Sequence, residues 1–199
     1  MFRSKRRQPR PKGQALVEFA LVFPIFFVLL MGLIEFGLVF NAILSINFAS
    51  RDGSLIAAEA GNSTGADCVI LNKVENGIGA PSSTARVQKV EIYKADKNGK
   101  QIGSIVNTYN RTGSKTCTLP DSTTLTVPYT LSGSAGYAEN TRCNVQGGCP
   151  PTQAAGVDTI GVKITYLYNW FTPMGSFIGL GISNFTLVES NAMRMEPVL

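Results

Sequence analysis

Few side chains in this 199-residue chain are suited to chemistry, and those few are unevenly placed. Glu18 stands alone in the stretch KGQALVEFALVFPIFF, just inside an apolar run where an ionised carboxylate is costly. The chemistry open to it is pairing with a cation on another molecule. Cys68, Cys117, Cys143 and Cys149 all follow that run, and an even number of thiols in a domain outside the cytoplasm favours disulfides. Three full pairings are open; Cys143–Cys149 with Cys68–Cys117 is preferred because a short loop closes most easily. The chain has no His and no CxxC pair, which argues against zinc and against the common catalytic triads. No phosphate-cradling Gly-rich loop precedes a helix, and no G-x-S-x-G occurs. The reading is a protein that is not an enzyme and takes no cofactor or metal.

The formal net charge of +5 belongs to a tail rather than to the whole chain. Arg3, Lys5, Arg6, Arg7, Arg10 and Lys12 are six of the 18 basic residues; without them the balance is 12 basic against 13 acidic, or −1. Nothing in the remainder suggests nucleic-acid binding. A basic tail beside an apolar segment instead reads as a cytoplasmic anchor under the positive-inside rule.

The elements that must position these residues follow from the patterning. Residues 1–13 read as a disordered basic leader. Residues 15 to about 40 are long enough to cross a bilayer as a helix of ~20 residues or more, with Pro24 expected to kink it. Glu35 falls near the far end of that span, at the outer membrane–water boundary or against a partner helix. Gly32 and Gly37 permit close helix approach. Beyond the span Phe40, Leu44, Phe48 and Leu55 recur at helical spacing, with Asn41, Ser45, Asp52 and Glu59 on another face. The expectation is that a small domain sits on that apolar stripe. Gly61-Asn62 ends the helix.

A short helix is predicted over residues 66–76, then a hairpin whose strands begin at Val87 and Ile102 and turn at Lys97-Asn98-Gly99-Lys100. Residues 110–156 read as a long insertion stapled by cysteines, with an edge strand at 124–129. Residues 158–170 and 185–195 alternate as strands, and Gly175-Ser176-Phe177-Ile178-Gly179 between them reads as a loop. The fold class is α+β. A transmembrane and assembly helix (14–61) carries an extracytoplasmic domain with a small antiparallel sheet (62–199).

Gly13, Gln14 and Glu18 form the pattern G-x-x-x-x-E between the basic tail and the apolar helix. This arrangement resembles the class III signal of type IV pilins and pseudopilins. The fuller string GQALVEFALVFPIFFVLLMGLIEFG is similar to the TadE/TadG-like minor pilins of the tight-adherence (Flp, type IVc) pilus system. Those share a Gly-Gln-Ala-like start, an early Glu-Phe, an inner Pro and a later acidic-Phe-Gly. Ala192-Met193-Arg194-Met195-Glu196-Pro197 also looks like that family's closing strand, whereas the resemblance gives no help with the cysteine-bearing middle.

The resemblance implies a prepilin peptidase that cuts between Gly13 and Gln14 on the cytoplasmic side. It also implies a single-pass inner-membrane protein, N-terminus inside, that enters a pilus. Its partners would be the major Flp-type pilin, other minor pilins and inner-membrane platform proteins. Cleavage bares an α-amino group on Gln14, about 6 Å along the helix axis from Glu18 at ~1.5 Å per residue. By analogy Glu18 pairs with that group on a neighbouring subunit, adding specificity more than stability. The bland reading leaves Glu18 pointing into headgroups. An unprocessed membrane-tethered binding or adhesion domain is the alternative for the whole chain, and the residue that begins the mature chain separates the two.

Overall fold

A computed structural model describes residues 13–145, 148–149, 156–173 and 184–195. The basic tail, the predicted loop at 175–179 and the end of the predicted closing strand lie outside the described residues. Helix α1, Gln14–Ala60, has 47 residues and runs without interruption through Pro24. At 1.5 Å per residue it is about 70 Å long, more than twice a bilayer's hydrocarbon thickness. Its first half is exposed on every side, with Leu16, Phe19, Leu21, Phe26 and Leu29 among its uncovered apolar side chains. Its second half is the spine of the domain. Gly61 stops it with φ 60° and an N–H donated to the Ala57 carbonyl at 3.2 Å. The positive φ favours glycine at position 61, and a side chain there would also have to displace the Asn144 amide.

Helix α2, Ala66–Gly77, lies against α1 and buries Ile70, Leu71 and Val74. Seven strands follow: β1 (Val87–Ala95), β2 (Gln101–Asn110), β3 (Lys115–Thr118), β4 (Thr124–Val127), β5 (Thr130–Leu131), β6 (Thr159–Asn169) and β7 (Asn184–Arg194). Five make one antiparallel sheet in the order β5-β2-β1-β6-β7, and β3 with β4 forms a separate two-stranded ribbon. The predicted hairpin turns as expected. Asp96 accepts the N–H groups of Asn98 and Lys100 at 2.8 and 2.9 Å, and Gly99 takes φ 79°. Strand β6 presents Ile160, Val162, Ile164, Tyr166 and Tyr168 to the core, as its alternation requires. The 124–129 segment pairs only with β3 and lies off the main sheet. The α+β class holds: a long apolar helix, then an antiparallel sheet domain carrying two disulfides.

One expectation is corrected. The domain does not sit on the stripe of Phe40, Leu44, Phe48 and Leu55, all of which remain exposed. It sits on Ala42, Ile46, Ala49, Gly53 and Ala57. The reason is crowding, since α2, β6 and β7 all press on this one flank. A Cβ at Gly53 would lie 2.9 Å from Val74 Cγ2 and 3.3 Å from Val162 Cγ1, where α1, α2 and β6 meet. Large side chains would hold the layers apart, so the packed face is the small-residue face.

Candidate functional site: the apolar helix and its junction with the sheet

The helix opens at Gly13, whose carbonyl accepts the Val17 N–H at 3.2 Å. No side chain caps this end and its first turn holds no acid. Glu18 is exposed, one turn inside, and its Oε1 accepts a hydrogen bond from the Gln14 side-chain amide at 3.1 Å. That bond is the i to i+4 contact of a regular helix and leaves the second carboxylate oxygen free to meet another molecule. Gln14 and Glu18 are thus brought together at the start of α1, beside Gly13, on a helix end that no other described part of the domain covers. Around and above them lie Phe19, Phe23 and Phe27, with neighbouring ring centroids 5.2 and 5.9 Å apart.

Glu35 is the opposite case. It is 2 % exposed although it stands in the same apolar helix. Tyr168 donates its hydroxyl to Oε1 at 2.7 Å and the Phe171 N–H does so at 3.1 Å. Thr172 donates both its N–H and its hydroxyl to Oε2, at 2.8 and 2.7 Å. Both oxygens are therefore saturated by the end of β6 and the turn after it. Burial first, then the hydrogen bond to Glu35 and its charge, pushes the Tyr168 phenol above its ordinary value, which keeps it a donor. Sequence reasoning placed Glu35 at the span's outer boundary but did not find these partners. The only signal was an acid where none is comfortable. Its partner is the chain's own sheet rather than a second helix.

Higher on the helix a second polar seam fixes the sheet. The Asn47 side-chain amide donates to Glu189 at 3.1 Å, and Asn191 donates to the Asn47 carbonyl and to Ser50 Oγ at 3.2 and 2.6 Å. The cysteines are all paired, Cys68–Cys117 and Cys143–Cys149, with Cα atoms 6.2 and 4.3 Å apart. The first ties α2 to the β3–β4 ribbon, and the second closes a loop within the insertion. A buried network holds that insertion down. Asp67 accepts from Asn107 at 2.8 Å, Tyr109 at 2.6 Å and the fully buried Arg142. Asp67, Asn107 and Tyr109 also line a small cleft with Lys115 and Glu139, and no metal-binding cluster occurs among the described residues.

Among the described residues one helix is long and apolar enough to cross a membrane, and it carries an antiparallel sheet domain on its far half. Residues 13–55 match the model of the family described as TadE-like protein. The match begins at Gly13 and takes in Glu18, Pro24, Glu35 and Gly53, so the similarity lies along α1. No curated protein and no solved structure matches the chain.

Proposed function

We propose that the chain is a minor pilin of a tight-adherence (type IVc) pilus machine, and that its work is assembly rather than catalysis. The observation that carries this is the TadE-like helix itself, which offers Gly13, Gln14 and Glu18 on one uncovered turn. A prepilin peptidase removes the basic tail after Gly13. The freed helix remains in the inner membrane, the domain outside, until assembly draws it into a bundle with the major pilin and other minor pilins. There the Glu18 carboxylate meets the α-amino group of a neighbouring Gln14 and selects one axial stagger among otherwise slippery apolar helices. The outer domain is bulky for a densely repeated subunit, which favours a few copies at a tip or initiation complex.

Intact-mass analysis of the chain from membranes that contain the peptidase tests the first step. The expected chain starts at Gln14, and Gly13→Val leaves the tail in place. A chain that still carries Met1 to Lys12 overturns the reading. Glu18→Ala tests the second step: the variant inserts and is cleaved, yet piliation fails at equal protein level. Normal piliation with that variant rules out the pairing.

A further inference from the structure

A cleft of about 420 Å³ opens between α1 and the membrane-facing end of the sheet. Ile34, Leu38, Tyr166, Tyr168 and Asn169 line it, and Arg86 enters from the short 3-10 turn before β1. Arg86 is partly buried, and its guanidinium makes neither an ion pair nor a side-chain hydrogen bond among the described residues. Glu35 on α1 is already engaged, both its oxygens accepting from Tyr168, Phe171 and Thr172. A cation half withdrawn from water between apolar walls is costly without an anion. A guanidinium fork suits phosphate above other anions.

The height of the cleft names the source of that phosphate. Glu35 lies 21 residues after Gln14, so the helix rises about 31 Å between them, close to the ~30 Å of a bilayer's hydrocarbon. The bonds from Phe171 and Thr172 to Glu35 therefore pin the turn after β6 at the outer interface. Phe171 is 77 % exposed there, and Trp170 precedes it with its ring centroid 5.8 Å from that of Phe185. Described residues 164–173 and 184–188 carry no charged side chain. Aromatic rings at this level are what the interfacial belt of a membrane protein consists of.

We infer that this cleft seats one outer-leaflet phospholipid, with its phosphate on Arg86 and an acyl chain along Ile34 and Leu38, and that Trp170 and Phe171 dip into the same leaflet. The sheet domain then rests on the membrane instead of swinging above it. The inference uses the reading of α1 as a membrane span but none of the pilus biology.

Trp170 is the only tryptophan in the chain, so its emission reports on this turn alone. The full chain is reconstituted in phosphatidylcholine–phosphatidylglycerol vesicles, with lipids brominated near the carbonyl end or near the methyl end of the acyl chain. Shallow bromines should quench Trp170 several-fold more than deep ones, and Phe171→Ser should reduce that quenching. Native mass spectrometry of the chain released in mild detergent should show one retained phospholipid. Arg86→Gln should lower that occupancy about tenfold, and Arg86→Lys should restore part of it. Carbonate-resistant insertion is scored in the same samples. A chain that inserts but shows no quenching of Trp170 by any brominated lipid overturns the docking. Equal lipid retention in Arg86→Gln overturns the phosphate site. A chain that fails to insert overturns the span on which both rest.

Discussion

Glu18 and Glu35 share a side chain and a helix but have opposite surroundings, and the difference sets what each can do. Glu18 is exposed and its one partner among the described residues is the Gln14 amide, so its carboxylate stays open on the surface. Glu35 receives four donors and is closed to outsiders. Replacing Glu35 with Ala leaves the Tyr168 hydroxyl and the Phe171 and Thr172 groups without their acceptor. The expected cost to docking of the sheet on the helix is about 2–4 kcal/mol, since each stranded donor costs ~1–3 and the outer ones regain water. Amide exchange at Phe171 and Thr172 should accelerate sharply in Glu35→Ala and only modestly in Glu35→Gln, which keeps an acceptor. Unchanged exchange in the alanine variant would remove Glu35 as the pin. The acid itself was legible in the sequence. Its partners were not, because Tyr168 lies 133 residues away and nothing local encodes so distant a contact.

At the scale of elements, legibility followed length and period. The long apolar helix, α2, the β1–β2 hairpin and β6 each had a long period or a turn signal, and each formed where expected. Strands β3 and β5 have four and two residues, too few to show alternation, and they exist through their partners in β4 and β2. The packing face of α1 was misread because large apolar residues dominate a sequence pattern, whereas close layers select small ones. Gly53 tests that account. Gly53→Leu must drive a side chain into Val74 and Val162, and should destabilise the domain by about 2–3 kcal/mol through overpacking. Gly37 has nothing within 4 Å of a built Cβ, so Gly37→Ala should leave domain stability unchanged or slightly raised. Denaturant unfolding of the two variants in the same micelles checks the contrast, and equal stability would contradict it. The Cys68–Cys117 bridge belongs at this scale too. It closes a separation of 49 residues between α2 and β3, and its removal with paired alanines should cost about 4 kcal/mol on the chain-entropy estimate.

Across the whole molecule one device recurs: a buried tyrosine donating to a carboxylate on a distant element. Tyr168 meets Glu35, Tyr109 meets Asp67, Tyr129 meets Glu75 and Tyr137 meets Asp158. These bonds join sheet to α1, sheet to α2, the ribbon's end to α2, and the insertion to the start of β6. Three of the acids also hold a cation, Arg142, Arg111 and Lys94 respectively, while Glu35 holds none among the described residues. These seams run between elements that also share one apolar core drawn from α1, α2 and the sheet, and they add specificity to its packing. They also fix its response to alkali. Burial first, and then the neighbouring carboxylate, raises the phenols of Tyr109, Tyr129 and Tyr137 well above the usual 10.0. Below that pH the three rings are protonated in both folded and unfolded chains, so their contribution is constant. Above it the unfolded chain ionises them and the folded chain does not, so the unfolded state binds fewer protons and stability falls as pH rises. Each ring contributes up to ~1.4 kcal/mol per pH unit in that window. Thermal unfolding of the full chain in micelles should therefore be level through neutrality and fall steeply beyond about pH 10. Tyr129→Phe should remove one ring's share of the slope yet still fold, because Arg111 continues to hold Glu75. A melting temperature that stays level past that point, or a slope unchanged in Tyr129→Phe, would mean the phenols are not held protonated by these contacts.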